Sequence, residues 1–304
     1  MTFLDIAHGL GFEGSDHWSS EGNRTQLAIR NYIALVLHEA QSKMSQEAHE
    51  LYDRFARHLQ PHDVILTFNY DTVLEEALRR IGRQFRLFPT RFKEIGEFAS
   101  VADDPREEVV ILKMHGSIDW FYVRDFQKQC SRPVEALTPC IVRHRHFLHP
   151  QQIVEGPFPD DSGLCNIYRI VNLDCYFGHA QFVCEAPLLI SPSHAKFFYL
   201  RPLNDFFWGM YQMGGYSREM NIIGLSMPPH DQYLLQGVYQ LVHNYQNMIL
   251  GRRYPKKRLK MIDLRRTVKE QDSHKERYRF VNWTKASVFW EGFGHSAIDF
   301  LAKR

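Results

Sequence analysis

The chain has 304 residues, 44% of them hydrophobic and 24% charged, with a formal net charge of +2. That balance belongs to a globular protein, excludes a disordered tail or fibrous repeat, and does not by itself signal a nucleic-acid protein. No apolar run approaches 18 residues, and the N-terminus has no basic start followed by a long apolar core, so neither a membrane span nor a secretory signal is expected.

Residues 1–23 are polar and Gly/Ser-rich after a short apolar start. Within them Gly9-Leu10-Gly11-Phe12-Glu13-Gly14 has the form G-x-G-x-x-G. A dinucleotide fingerprint needs a strand before it and a helix opening directly after it. Phe3 to Ala7 reads as a helix end, and the next clear helix starts about ten residues too late, so a Gly-rich loop is the better reading. From Thr25 to about Met44, Leu27, Tyr32, Leu35, Val36 and Ala40 recur at helical spacing. Ser45 is a candidate cap for a second helix, with Ala48, Leu51, Phe55 and Leu59 inward and Pro61 as its stop.

The period then changes. Val64-Ile65-Leu66-Thr67-Phe68 is a short apolar run with β-branched residues, which predicts a buried parallel strand. Asn69-Tyr70-Asp71 follows, and helix resumes from Thr72. Val109 to Leu112 predicts a second buried strand, running into Lys113-Met114-His115-Gly116-Ser117. Residues 121–183 are mixed, with turns and short strand candidates. Three more buried strands are expected at 187–190, 221–225 and 259–262, with a helix after the fourth strand to about Asn247 and a last helix over 295–301. Buried strands alternating with helices imply a parallel sheet covered on both faces, whose ligands sit at the carboxyl ends of the strands. That selects Asn69, Asp71, His115, Ser117, Ser226, Asp231 and Asp263 as candidate site residues.

Each motif also has a structural reading. Asp71 suits a cap on the following helix, which leaves Asn69 and Tyr70 less well explained. His115 is a residue type suited to general-base work near neutral pH, although a lone His at a strand end is more often structural. The stretch Gly224 to Asp231 offers a close backbone approach and exposed helix-start amides for a phosphate, or a Pro-containing turn with Asp231 as cap. His144, His146 and His149, near Cys140, have metal-like spacing, but Arg143, Arg145 and Pro150 point to an exposed loop, so no metal is expected. The five cysteines, Cys130, Cys140, Cys165, Cys175 and Cys184, are odd in number and include no C-x-x-C pair. With no secretory signal, that suggests reduced thiols and a cytoplasmic location. Arg252 to Arg279 holds twelve Lys or Arg interrupted by acids, a solvated face by default and weak support for nucleic acid.

Together these strand-end motifs resemble the sirtuin-like (silent-information-regulator-like) superfamily, and its bacterial NAD-cleaving branch in particular. The residues that carry the resemblance are ILTFNYDTVLE, LKMHGSIDW, LLISPSHAK, IIGLSMPPHD and LKMIDL, in the expected order over about residues 60–300. It implies an α/β, Rossmann-like parallel sheet with helices on both faces. A helical segment over 1–60 precedes the sirtuin-like domain at 61–304, which carries an inserted smaller mixed module at 120–186. It also implies NAD as substrate, with cleavage of its nicotinamide–ribose bond. Asn69 would hold the ribose or the attacking water, and His115 would be the general base or act on a ribose hydroxyl. Thr67, Asp71, Ser117 and Asp231 are further binding candidates, Gly224 and Ser226 would meet phosphate or ribose, and Asp263 would lie near the adenosine ribose. Deacylating sirtuins carry a four-cysteine zinc module, and the cysteine spacing here favours hydrolysis over deacylation. The resemblance suggests antiviral defence by NAD depletion; an NAD or ADP-ribose sensor or scaffold is the alternative. A homo-oligomer is possible and no membrane partner is expected. The family's first strand and Gly-rich phosphate loop find no convincing match, so the sheet is expected to lack that strand and to expose an edge or a partner-filled groove.

Overall fold

The structure is a computed structural model that describes residues 18–19, 22–87, 107–122, 140–142, 151–155, 167–170, 173–174, 187–190, 207, 209–211, 213–248 and 255–303. Gly9 to Gly14, His144, His146, His149, Ser191 to Ser193 and every cysteine except Cys140 lie outside the described residues.

A two-stranded ribbon, β1 (Trp18–Ser19) and β2 (Gly22–Asn23), precedes helix α1 (Arg24–Ser42). The buried face of α1 is not the one expected. Tyr32 is 69% exposed and Val36 46%, while Ala34 is buried and Ile33 and Leu37 pack with Ile118, Leu189 and Tyr70. Apolar residues surround this helix, so spacing alone admits two stripes. The 70–72 turn selects one of them, because Gln41 lies on that side and bonds Thr72. Helix α2 (Gln46–His58) starts as expected, with the Ser45 hydroxyl accepting from Ala48 N.

Strand β3 (Val64–Thr67), helix α3 (Val73–Arg80), β4 (Phe85–Arg86) and β5 (Val109–Lys113) follow. The strands form a parallel sheet in the order β3-β5-β4, with Val64 opposite Val110 and Thr67 opposite Lys113. All five residues of β5 are buried, which makes it the spine of this sheet. Each such Val, Ile or Leu stabilises the fold by about 1.5–3 kcal/mol relative to exposure.

β6 (Trp120–Tyr122), β7 (Cys140–Val142), β8 (Gln151–Glu155) and β9 (Ile167–Ile170) form an antiparallel sheet in the order β6-β9-β8-β7, within the 120–186 stretch. A second parallel sheet, in the order β10-β11-β12, combines β10 (Asn221–Ile223), β11 (Leu259–Ile262) and β12 (Ala286–Phe289). Helices α4 (Gln232–Asn247), α5 (Val268–Arg277) and α6 (His295–Ala302) accompany it. One apolar core joins Ala77, Ile111 and Leu112 of the first sheet's elements to Ile222, Val238 and Met261 of the second. Among the described residues, no helix is long and apolar enough to cross a membrane.

The 187–190 stretch is buried, as expected, but is not a strand of the parallel sheet. It runs antiparallel against the loop after β5: Ser117 N donates to Leu188 O, Leu188 N to Trp120 O, and Ile190 N to His115 O. The reason is Gly116, whose φ of +83° turns the chain back at the end of β5 and offers those groups sideways.

Both parallel sheets have a strand with one described neighbour. Asp63 O and Thr67 O accept from β5, so the ladder groups of Val64 and Leu66 face away from it. Lys260 N donates to Met220 O and Gly224 N to Ile262 O, so Asn221 and Ile223 likewise face away from β11. No described strand pairs with either edge. Burial raises the pKa of the Asp63 carboxyl, just before β3.

Candidate active site at the carboxyl ends of the strands

The candidate residues follow the carboxyl ends of four parallel strands, β3, β5, β10 and β11. β3 delivers Asn69, which is exposed, and its N–H donates to Thr67 Oγ1 at 3.2 Å. Asp71 Oδ1 accepts from Val73 N at 3.2 Å, so Asp71 closes an Asx turn at the start of α3. β5 delivers His115, which is 4% exposed. Its ring meets Phe68 edge-on at 5.1 Å between centroids and Tyr70 at 6.2 Å, so the residues flanking Asn69 also wall His115.

The loop after β10 supplies the partner of His115. Asp231 is fully buried, and its Oδ1 accepts from Leu234 N at 3.0 Å as the cap of α4. Its Oδ2 lies 3.5 Å from His115 Nε2. One carboxylate therefore starts a helix and holds an imidazole. Substitution separates the two tasks. Asp231→Asn keeps a capping oxygen and loses the charge, so its melting temperature should stay near wild type while turnover falls roughly tenfold or more, a share of the 10²–10⁴ a positioned base contributes. Asp231→Ala should lose about 1 kcal/mol of stability in addition. Thermal melts beside rate measurements check both.

Gly224 has φ +61°, and a Cβ built there meets no atom of the described residues within 4 Å. Ser226 is exposed, and its carbonyl accepts from Arg277 Nη1 at 3.3 Å. Met227 is a buried non-glycine residue at φ +51°, a conformation costing about 1–2 kcal/mol that the surrounding loop must hold. Ser117 is fully buried; its hydroxyl donates to Asp119 and lies 3.4 Å from Tyr70 O, so it builds the loop rather than lining an open surface.

Asp263 follows β11. Its Oδ1 accepts from Leu264 N at 2.7 Å, and its Oδ2 lies 3.0 Å from His274 Nδ1 and 3.3 Å from Arg265. His274 is buried, stacked on Tyr278 at 4.8 Å and edge-on to Trp290. Burial lowers its pKa, and Asp263 offsets only part of that. Below its ordinary value near 6.5 the unfolded chain takes a proton that the folded chain refuses. Stability should therefore fall as the pH drops below about 6.5, by at most about 1.4 kcal/mol per pH unit for one proton. Denaturant melts at pH 7.5 and 5.5, compared with His274→Phe, check this; the variant should lose that component.

Sequence reasoning passed over Lys113, Glu75 and Asp119, buried charged groups beneath this surface. Their signal was a Lys closing an apolar strand and a Glu on the inward face of α3. Much of the basic 252–279 segment is engaged within the fold: Lys260 Nζ meets Glu219 at 3.0 Å and the carbonyls of Leu301 and Lys303, and Arg258 bonds Ser287. Among the described residues, no cluster of His, Cys, Asp and Glu is suited to a metal.

Parallel strands flanked by helices, with polar residues gathered at the strand ends, define a Rossmann-like α/β protein. Residues 63–144 match the SIR2-like domain family, so this part of the chain is similar to sirtuin-like domains, a family whose function is related to NAD. The matched stretch contains Thr67, Asn69, Asp71, His115 and Ser117, and ends before Gly224. No curated protein matches the chain.

Proposed function

We propose that the protein is an NAD hydrolase that cleaves the bond between nicotinamide and ribose. The observation that carries this reading is the pairing of exposed Asn69 with His115, walled by the residues on either side of Asn69 and held by buried Asp231. In the proposed reaction the nicotinamide–ribose bond breaks and its electron pair goes to the ring nitrogen, cancelling the positive charge there. The sugar carbon passes through an oxocarbenium-like state, as in glycoside hydrolysis. The Asn69 amide orients the attacking water, whose oxygen bonds to that carbon. The water's proton passes to His115, and Asp231 stabilises the imidazolium. Gly224 and Ser226 take the phosphate or ribose, Thr67 and Asp71 shape the ribose side, and Asp263 stands toward the adenosine ribose. The resemblance to the bacterial NAD-cleaving branch extends the proposal to antiviral defence by NAD depletion in the cytoplasm.

Purified protein should release nicotinamide and ADP-ribose in equal amounts from NAD. A second reading, a sensor of NAD or ADP-ribose, is favoured by the burial of His115 and Asp231, which limits their reach to a substrate. Calorimetry with NAD and ADP-ribose separates the two: tight binding without nicotinamide release supports the sensor, and binding of neither excludes both.

A further inference from the structure

We infer that Lys113 is a positioning residue that locks the turn carrying Asn69 to the strand carrying His115. Its catalytic meaning rests on the proposed NAD cleavage; its geometry does not.

Lys113 is the last residue of β5, two positions before His115, and is 1% exposed. Its ammonium lies 2.9 Å from Glu75 Oε1 and donates to the carbonyl of Asp71. Glu75 is buried in the first turn of α3. The turn is therefore held from β5 and its loop at several points. Met114 N donates to Thr67 O at 2.9 Å, Ile118 N to Tyr70 O at 3.0 Å, and Lys113 Nζ to Asp71 O. From the other side Gln41 accepts from Thr72 N at 2.9 Å and donates to Thr72 Oγ1 at 3.1 Å. Asn69 stands exposed between these fixed points.

A buried ion pair is a poor way to gain stability, since apolar side chains of similar volume often serve the fold as well or better. What an apolar pair cannot do is direct three N–H donors at a carbonyl and a carboxylate at once. That points to a geometric role for the charge: it fixes where Asn69 stands relative to His115.

The test compares wild type with Lys113→Met, Lys113→Met/Glu75→Leu and Lys113→Arg. The double variant should melt at or near the wild-type temperature. Even so, its amides over residues 69–73 should exchange with solvent at least tenfold faster than in wild type. Its kcat for nicotinamide release should fall at least tenfold with a smaller change in KM, and Lys113→Arg should recover part of the rate. A double variant with wild-type exchange over 69–73 and wild-type kcat overturns the inference and leaves Lys113 a stability element only. If the double variant fails to fold, Glu75→Gln carries the same two readouts. If wild type itself releases no nicotinamide, the hydrolase reading fails, and the exchange measurement alone still decides whether Lys113 pins the turn.

Discussion

Asn69→Ala protein is expected to cleave NAD about 10²–10³-fold more slowly than wild type, and His115→Ala about 10²–10⁴-fold more slowly. The two variants should differ in stability, which separates chemistry from folding. The Asn69 side chain is exposed and bonds no other side chain among the described residues, so its loss should stay within about 0.5 kcal/mol. Removing His115 leaves the fully buried Asp231 without its imidazole, at a cost on the order of 1–3 kcal/mol. Nicotinamide release measured per folded molecule, with melting curves alongside, checks the pair. Wild-type turnover in both would remove these residues from the mechanism.

Gly116→Ala should give the largest loss of stability. The residue sits at φ +83°, and an added Cβ would stand 1.9 Å from the carbonyl oxygen of Leu188, a backbone atom that cannot swing aside. Left-handed strain contributes about 1–2 kcal/mol and overpacking about 1–3 kcal/mol. A total near 3 kcal/mol lowers the melting temperature by roughly 5 °C in a chain of 304 residues. Gly224→Ala is the internal comparison, because its φ is similarly positive but its Cβ would meet none of the described residues within 4 Å. It should cost only the strain. Equal melting temperatures for the two would mean that the 187–190 segment does not lean on Gly116. The activity of Gly116→Ala should also collapse, since Ile190 N and the His115 carbonyl meet across the displaced contact.

Much of this architecture was legible before any coordinates. Val64 to Phe68, Val109 to Leu112 and Leu259 to Ile262 are apolar runs too short for helices, and each is a parallel strand. Ser45 and Asp231 announced their helices because a side-chain oxygen before a periodic stretch has few other uses. Helix α5 was not anticipated, because Val268 to Arg277 has no apolar stripe; only His274 is buried. Its start was nonetheless written in Thr267 and Glu270, which form a reciprocal capping box. The antiparallel course of 187–190 was hidden, because an apolar run does not record its direction. The exposure of Tyr32 was hidden for a related reason: α1 is apolar on more than one side, and the turn it packs against lies about thirty residues further along. In the candidate site, the strand-end rule gathered Asn69, His115 and Asp231, but the 3.5 Å contact between the last two is a tertiary fact that spacing could not give.

The unequal standing of the strands divides the site into two kinds of group. His115 and Asp263 hang from β5 and β11, central strands buried along their whole length and bonded on both sides. Asn69 and the Gly224–Ser226 loop hang from β3 and β10, which have one described partner each and stay partly exposed. Segments with half the ladder bonds and less burial open at lower free energy than the core beside them. The fold thus holds His115 and Asp263 on rigid strands and presents Asn69 and the Gly224–Ser226 loop on more compliant supports. Compliance of that kind lets the edges of a cleft settle around a flexible ligand while its floor stays fixed. The turn after β3 also closes on the buried Lys113 ammonium, which ties it to the rigid strand beside it.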